Sequence, residues 1–228
     1  MIFDLFGTLA PNNRDEPYHE SVRQMARMLG ADAERFLAVW TGEDLTAKRF
    51  TGAFGTQADC IRHVLGAMWA SATQEAVARA AQVRGEYTRQ LLRPRPGAVE
   101  TLREIRRRGL KTGLMTACST DTPATLQTTP LAGMFDVELY SCLAGLTKPD
   151  ARFYAMACER LGVAAGECLY VGDGAGRELS GALAAGMTAV LLCDPGERDI
   201  VLVRPGVRDW QGARIEAVAE VLTILDGR

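Results

Sequence analysis

The sequence is poor in residues that bind soft metals. Of its 228 residues only His19 and His63 are histidine, and the six cysteines, Cys60, Cys118, Cys142, Cys158, Cys168 and Cys193, include no Cys-x-x-Cys pair. A zinc site or a disulfide framework is therefore not expected. Several of these cysteines sit inside apolar runs, where the thiol acts as a small buried hydrophobe, and reduced thiols in a cytoplasmic setting are the expectation. No apolar run is long enough to cross a bilayer, and Met1-Ile2-Phe3-Asp4 carries no charged leader ahead of an apolar stretch. Neither a membrane anchor nor a secretory signal is expected. Lysine is scarce as well: Lys48, Lys111 and Lys148 are the only three among 26 basic residues. With 28 acidic residues, a net charge of −2 and no basic block, the chain lacks the footprint of nucleic-acid binding.

What is present is ordinary globular material. Hydrophobic residues make up 47% and charged residues 24%, and the length suits one large domain or two small ones. Met1-Ile2-Phe3 is an apolar strand that stops at Asp4, with Gly7-Thr8 supplying a turn. It is shorter than the ~5–6 residues of a usual strand, and a start upstream of Met1 stays open. From Pro11 to Leu92 the pattern is helical. Val22, Met25, Ala26 and Leu29 recur at helical spacing before Gly30; Asp32, Thr56 and Thr73 are candidate caps for three further helices. Arg93-Pro94-Arg95-Pro96-Gly97 breaks the pattern, and beyond it strands and helices alternate. Strands are expected at Gly113–Met115, Val137–Tyr140, Cys168–Val171 and Thr188–Cys193. Helices are expected at Ala98–Arg108, Ala151–Leu161, Glu178–Ala185 and Ile215–Leu225. Alternation of this kind predicts an α/β fold, a Rossmann-like three-layer parallel sheet with helices on both faces. The first strand joins it, so residues 1–10 and 93–228 form the core domain and residues 11–92 an inserted all-helical domain.

Ligands of open parallel sheets bind at the carboxyl ends of the strands. The polar residues just past those ends are Asp4, Thr116 and Asp173, with Lys148 in a nearby loop. Two carboxylates would bind a hard cation such as Mg2+ through oxygen. A hydroxyl and an ammonium beside it would hydrogen-bond and neutralise a phosphoryl group. An Asp can also attack that group. Each residue alone has a plainer reading, as a turn, a cap or a solvated charge; together at the strand ends they favour the functional one. In a chain that uses Arg by default, Lys148 reads as a required compact point charge.

Asp4-Leu5-Phe6-Gly7-Thr8-Leu9 resembles the first motif of the haloacid dehalogenase-like superfamily. Leu114-Met115-Thr116 resembles the second, Lys148-Pro149-Asp150 the third, and Gly172-Asp173 with Glu178 and the Gly181…Gly186 helix the fourth. The resemblance implies a hydrolase whose nucleophile is Asp4, with Thr116 and Lys148 holding the transferring group. It implies Mg2+ bound by Asp4, Asp173 and the main-chain carbonyl of Phe6, with Glu178 orienting water or Lys148. Residues 11–92 would be the cap that closes over a small, anionic substrate. The most favoured reading is a phosphatase acting through an aspartyl phosphate, as monomer or homodimer.

The chain departs from this pattern at two places. Phe6 stands where phosphatases of the family carry a second Asp as general acid and base, a role typically worth ~10²–10⁴-fold in rate. Glu178 stands where many relatives have Asp. An aromatic residue after the nucleophile is also found in the metal-independent 2-haloacid dehalogenases of the family, whose Asp attacks carbon and displaces halide. Those enzymes, however, place Ser and Asn where this chain has Gly172 and Asp173. A third reading is a non-catalytic phosphometabolite-binding protein. A phosphonate hydrolase would need a Schiff-base lysine from the cap, where Lys48 is the only candidate. Arg14 and Arg49 are candidate substrate contacts. His19, His63, Trp40, Trp69 and Trp210 read as packing or ordinary helix residues, and Cys118 as lining the site without being a nucleophile.

Overall fold

The computed structural model describes residues 1–227. Six strands, β1 (Ile2–Phe3), β2 (Gly113–Thr116), β3 (Val137–Tyr140), β4 (Leu169–Gly172), β5 (Thr188–Leu192) and β6 (Ala213–Ile215), form one all-parallel sheet in the order β3-β2-β1-β4-β5-β6. Register places Ile2 between Gly113 and Tyr170, and Phe3 between Leu114 and Val171. Side chains of successive strand residues face opposite sides of the sheet. Phe3, Leu114, Tyr140, Val171 and Val190 therefore enter one apolar layer, while Ile2, Met115, Leu139, Tyr170 and Leu191 enter the other.

Helices cover both faces. Before β2 the chain forms α1 (Asp15–Met28), α2 (Ala33–Thr41), α3 (Glu43–Phe50), α4 (Gln57–Ala67), α5 (Gln74–Leu91) and α6 (Ala98–Arg107). After it come α7 (Thr122–Leu126), α8 (Ser141–Ala144), α9 (Ala151–Leu161), α10 (Glu178–Ala184), α11 (Arg198–Val201) and α12 (Val221–Asp226). The first apolar layer takes Val99, Leu102 and Ile105 of α6 and Val221 of α12; the second takes Phe153, Tyr154 and Leu161 of α9 and Leu179 of α10. No helix among the described residues is long and apolar enough to cross a membrane.

Helices α1–α5 pack around a third cluster of their own, built from Val22, Met25, Phe36, Trp40, Ile61, Val64 and Val77. Their ends follow local chemistry. Asp32 caps α2 by accepting from Arg35 N at 2.8 Å, Thr56 and Asp59 form a reciprocal capping box on α4, and Thr73 accepts from Ala76 N at 3.2 Å to start α5. The two strands of chain joining this insertion to the sheet lie side by side, with Arg95 N donating to Leu9 O at 2.8 Å.

Three expectations change. The insertion holds five helices rather than four, because Glu43–Phe50 forms a further one whose apolar anchor is Leu45. Ile215 ends an edge strand rather than starting a helix, and the last helix begins only at Val221. Trp69 does not pack: it is 95% exposed.

Candidate active site

The carboxyl ends of the central strands bring the sequence-derived residues together. Asp4 follows β1, Thr116 ends β2, Asp173 follows β4 and Glu178 opens α10, while Lys148 reaches in from the loop before α9. All five are buried. Lys148 Nζ donates to Asp4 Oδ1 at 2.5 Å and forms an ion pair with Glu178. Tyr170, on the same face of β4, donates from its hydroxyl to Glu178 Oε2 at 2.8 Å, and Gly174 N donates to Oε1 at 2.9 Å. Both oxygens of Glu178 are thereby occupied. These bonds tie it to Lys148, Tyr170 and the β4–α10 turn.

Oxygens of Asp4, Asp173 and Glu178 lie within 4.8 Å of one another. Three carboxylates in one buried cluster cannot all ionise cheaply. Burial raises Asp4, and Asp173 adds to the effect while Lys148 opposes it. Burial also pushes Glu178 up to about 8. Burial alone would lower Lys148, but Asp4 and Glu178 outweigh it and hold the ammonium protonated.

Two buried atoms here have no hydrogen bond, Thr116 Oγ1 and Asp173 Oδ2, and the second of them is ion-paired with Arg204. An unpaired buried hydroxyl is costly unless a ligand completes it. The Asp173 carboxylate presses against the backbone of Gly7, whose φ is +84°. A Cβ there would fall 1.7 Å from Asp173 Oδ2, so only glycine fits. The carboxylate oxygens of Asp4 and Asp173 are of the kind that a hard, oxygen-preferring cation takes.

Arg204 was not legible in the sequence. It forms an ion pair with Asp173, donates to the Asp173 carbonyl at 2.9 Å, and donates to Asn12 Oδ1 at 2.6 Å. The ion pair is made to Asp173 Oδ2 itself. Asn12 passes the chain of contacts to Glu197, through Asn12 Nδ2 at 2.7 Å, and Glu197 pairs with Arg95. Arg95 also donates to Asp194 Oδ2 at 2.8 Å and Gly7 O at 3.2 Å. No local pattern announces this network, since Arg204 and Asn12 are 192 positions apart. Tyr170 had a faint signal, as a polar aromatic on the alternating face of a buried strand.

Phe6 lines a cavity of about 350 Å³ between the strand ends and the insertion. Cys118, Arg49 and His19 share that lining, whereas Arg14 is exposed and donates to Gly196 O at 2.8 Å. Burial raises the Cys118 thiol well above its ordinary value, in keeping with an inert residue. His63 packs against Phe54, with ring centroids 5.2 Å apart. Trp40 is buried beside Phe36, and Trp210 donates to Ala213 O at 3.0 Å. Lys48 pairs with Asp44 at 2.7 Å on the exposed side of α3 and is not part of the cavity lining.

The profile of the haloacid dehalogenase-like hydrolases matches residues 1–186. The chain belongs to that family. It is 40% identical over 111 residues to a phosphatase of Mycobacterium tuberculosis, covering 48% of this chain and 51% of the relative. It is 28% identical over 189 residues to (S)-2-haloacid dehalogenase 4A of Burkholderia cepacia, covering 76% and 74%. The crystal structure of a phosphatase of the family from Thermococcus onnurineus superposes with a TM-score of 0.66 at 25% identity, over 100% of this chain and 97% of that one. Against the phosphatase of M. tuberculosis, the match spans about half the length of the relative.

Proposed function

We propose that the protein is a Mg2+-dependent phosphatase of small phosphorylated metabolites. The observation that carries this reading is the buried quartet of Asp4, Lys148, Thr116 and Asp173. Thr116 brings a buried hydroxyl with no hydrogen-bond partner, and oxygens of Asp4 and Asp173 lie within 4.8 Å of each other. The phosphatase relative supports the same reading.

Asp4 is the nucleophile. Its carboxylate oxygen attacks phosphorus, the bond from phosphorus to the leaving-group oxygen breaks, and that oxygen departs with the electron pair. Water then attacks the phosphorus of the aspartyl phosphate, releasing inorganic phosphate and restoring Asp4. Lys148 opposes the effect of burial on Asp4 and neutralises the transferring group, and Thr116 donates its unpaired hydroxyl to it. Asp4, Asp173 and the Phe6 carbonyl would hold Mg2+, which would stabilise charge developing on the phosphoryl oxygens. Phe6 cannot protonate a leaving alkoxide, so the chemistry favours substrates with good leaving groups. Residues 11–92 serve as the cap, excluding water and selecting the substrate.

Phe6, together with the Arg204–Asp173 ion pair, favours a second reading. A guanidinium on Asp173 compensates that carboxylate without a metal, which accords with a metal-independent 2-haloacid dehalogenase. Hydrolysis of an activated aryl phosphate, with Mg2+ and with chelator, decides between them. Mg2+-dependent phosphate release that vanishes in Asp4→Asn is the expected result. Halide release from 2-haloacids without metal, and no phosphate release, would replace the first reading with the second. Binding of phosphate esters with turnover of neither substrate would leave the non-catalytic binding role.

A further inference from the structure

The cavity above Phe6 contains two buried arginines that the chemistry at Asp4 does not use. It lies between Phe6, Cys118 and Ser119 on the sheet side and Tyr18, Arg49 and Arg84 on the insertion side. Arg49 is 4% exposed and Arg84 is 9% exposed. Arg49 spreads its donors over neutral acceptors, the Tyr18 hydroxyl, the Trp40 carbonyl and the Thr46 hydroxyl, each at 3.1 Å, and its Nε has no partner. Its guanidinium lies 4.6 Å from the centroid of the Trp40 ring.

Arg84, on α5, is more exceptional. Its Nε and Nη1 are buried without any hydrogen-bond partner. The nearest carboxylate, Asp121, stands 3.9 Å from Nε. Asp121 gives its oxygens elsewhere, to Gln57 Nε2 at 2.7 Å and to the Thr88 hydroxyl. Tyr18 and Tyr87 hold the guanidinium by their rings, at 5.3 and 5.2 Å. Among the described residues, Asp121 is the one buried carboxylate within ion-pair distance of either guanidinium, leaving about one positive charge uncompensated; the acid of the cavity lining, Asp15, is exposed. A buried charge without a counter-ion is strongly unfavourable, and a protein retains one where a ligand supplies the partner.

We propose that Arg84 and Arg49 form a subsite for a carboxylate on the leaving group of the substrate. One uncompensated charge matches a singly charged carboxylate better than a second phosphate dianion. A cavity of about 350 Å³ limits the connecting skeleton to a small one. The substrate class is then a small phosphomonoester with a carboxylate on the far side of the scissile bond. This deepens the phosphatase reading and rests on it.

Two arms test the proposal. In the first, kcat/KM is compared for a carboxymethyl-substituted aryl phosphate and its carboxamide. The wild type should prefer the carboxylate by about 10–100-fold, the range of a charge-assisted hydrogen bond. Arg84→Gln should bring the ratio to within about threefold of one, and Arg84→Lys should recover part of it. A ratio near one in the wild type, or one unchanged in Arg84→Gln, overturns the subsite. In the second arm, Asp4→Asn is titrated with succinate while Trp40 fluorescence is read, and circular dichroism checks the fold of each arginine variant. Saturable binding lost in Arg84→Gln and Arg49→Gln supports the subsite even if no phosphate ester is hydrolysed, in which case only the phosphatase reading fails. Absence of saturable binding in Asp4→Asn overturns the subsite whatever the hydrolysis shows.

Discussion

Glu178 shows how strongly burial acts on a single carboxyl. Its carboxyl is held up at about 8 by burial, against an ordinary value of 4.5. A folded-state value above the unfolded one means that the folded protein binds this proton more tightly. The associated stability is fully present below pH 4.5 and is lost as the pH rises through about 8. Melting temperatures of the metal-free protein should therefore fall across that window, and Glu178→Gln, which mimics the protonated form, should flatten the fall. Equal slopes in the two proteins would assign the titration to another group. Phe6 permits a complementary test. If the missing general acid limits turnover of poor leaving groups, Phe6→Asp should raise kcat on alkyl phosphates by at least about tenfold, and barely change it on aryl phosphates. Steady-state kinetics on the two substrate types would read the difference. Asp4, Thr116 and Asp173 were legible in the sequence because they stand at the ends of short apolar strands, Lys148 because it lies in a nearby loop of a chain poor in lysine, and Glu178 only through the resemblance to the fourth motif. Arg204, Asn12 and Arg84 were not, because their roles exist only through partners far away along the chain.

At the scale of elements, the same contrast separates what local chemistry announces from what packing imposes. Helices α2, α4 and α5 begin at capping residues visible in the sequence, and α1 stops just before Gly30. Helix α3 escaped notice because Glu-Asp-Leu-Thr-Ala-Lys-Arg-Phe offers little apolar periodicity; its buried side chains are Leu45 and Arg49. Strand β6 escaped because it is three residues long with two exposed, held to the sheet by its pairing with β5. The joints between insertion and sheet depend on Arg95, whose side chain is only 9% exposed and binds Glu197, Asp194 and the Gly7 carbonyl together. Arg95→Met would strand a buried Glu197. It should cost about 3–5 kcal/mol, read as a lowered urea midpoint with an unchanged slope. A change within about 0.5 kcal/mol would show that Asn12 alone satisfies Glu197.

On the scale of the whole molecule, a sheet with two apolar layers and a helical insertion with a third give three separate cores in one chain. The alternation of helix and strand after Gly97 made the parallel sheet predictable. The strand order was not, because nothing local reveals that the two-residue β1 lies at the centre between β2 and β4. That central place has a consequence for synthesis on the ribosome. Ile2 and Phe3 leave the tunnel long before Tyr170 and Val171, the partners that complete their pairing. At typical translation speeds that interval is on the order of 10–35 s. The insertion, whose third core closes by Ala80, can fold within it. Nascent chains arrested ahead of Leu169 should therefore show protease protection over residues 15–91, with the peptide around Asp4 still open to cleavage. Translation would thus build the chamber that selects a substrate before the nucleophile that attacks it is in place.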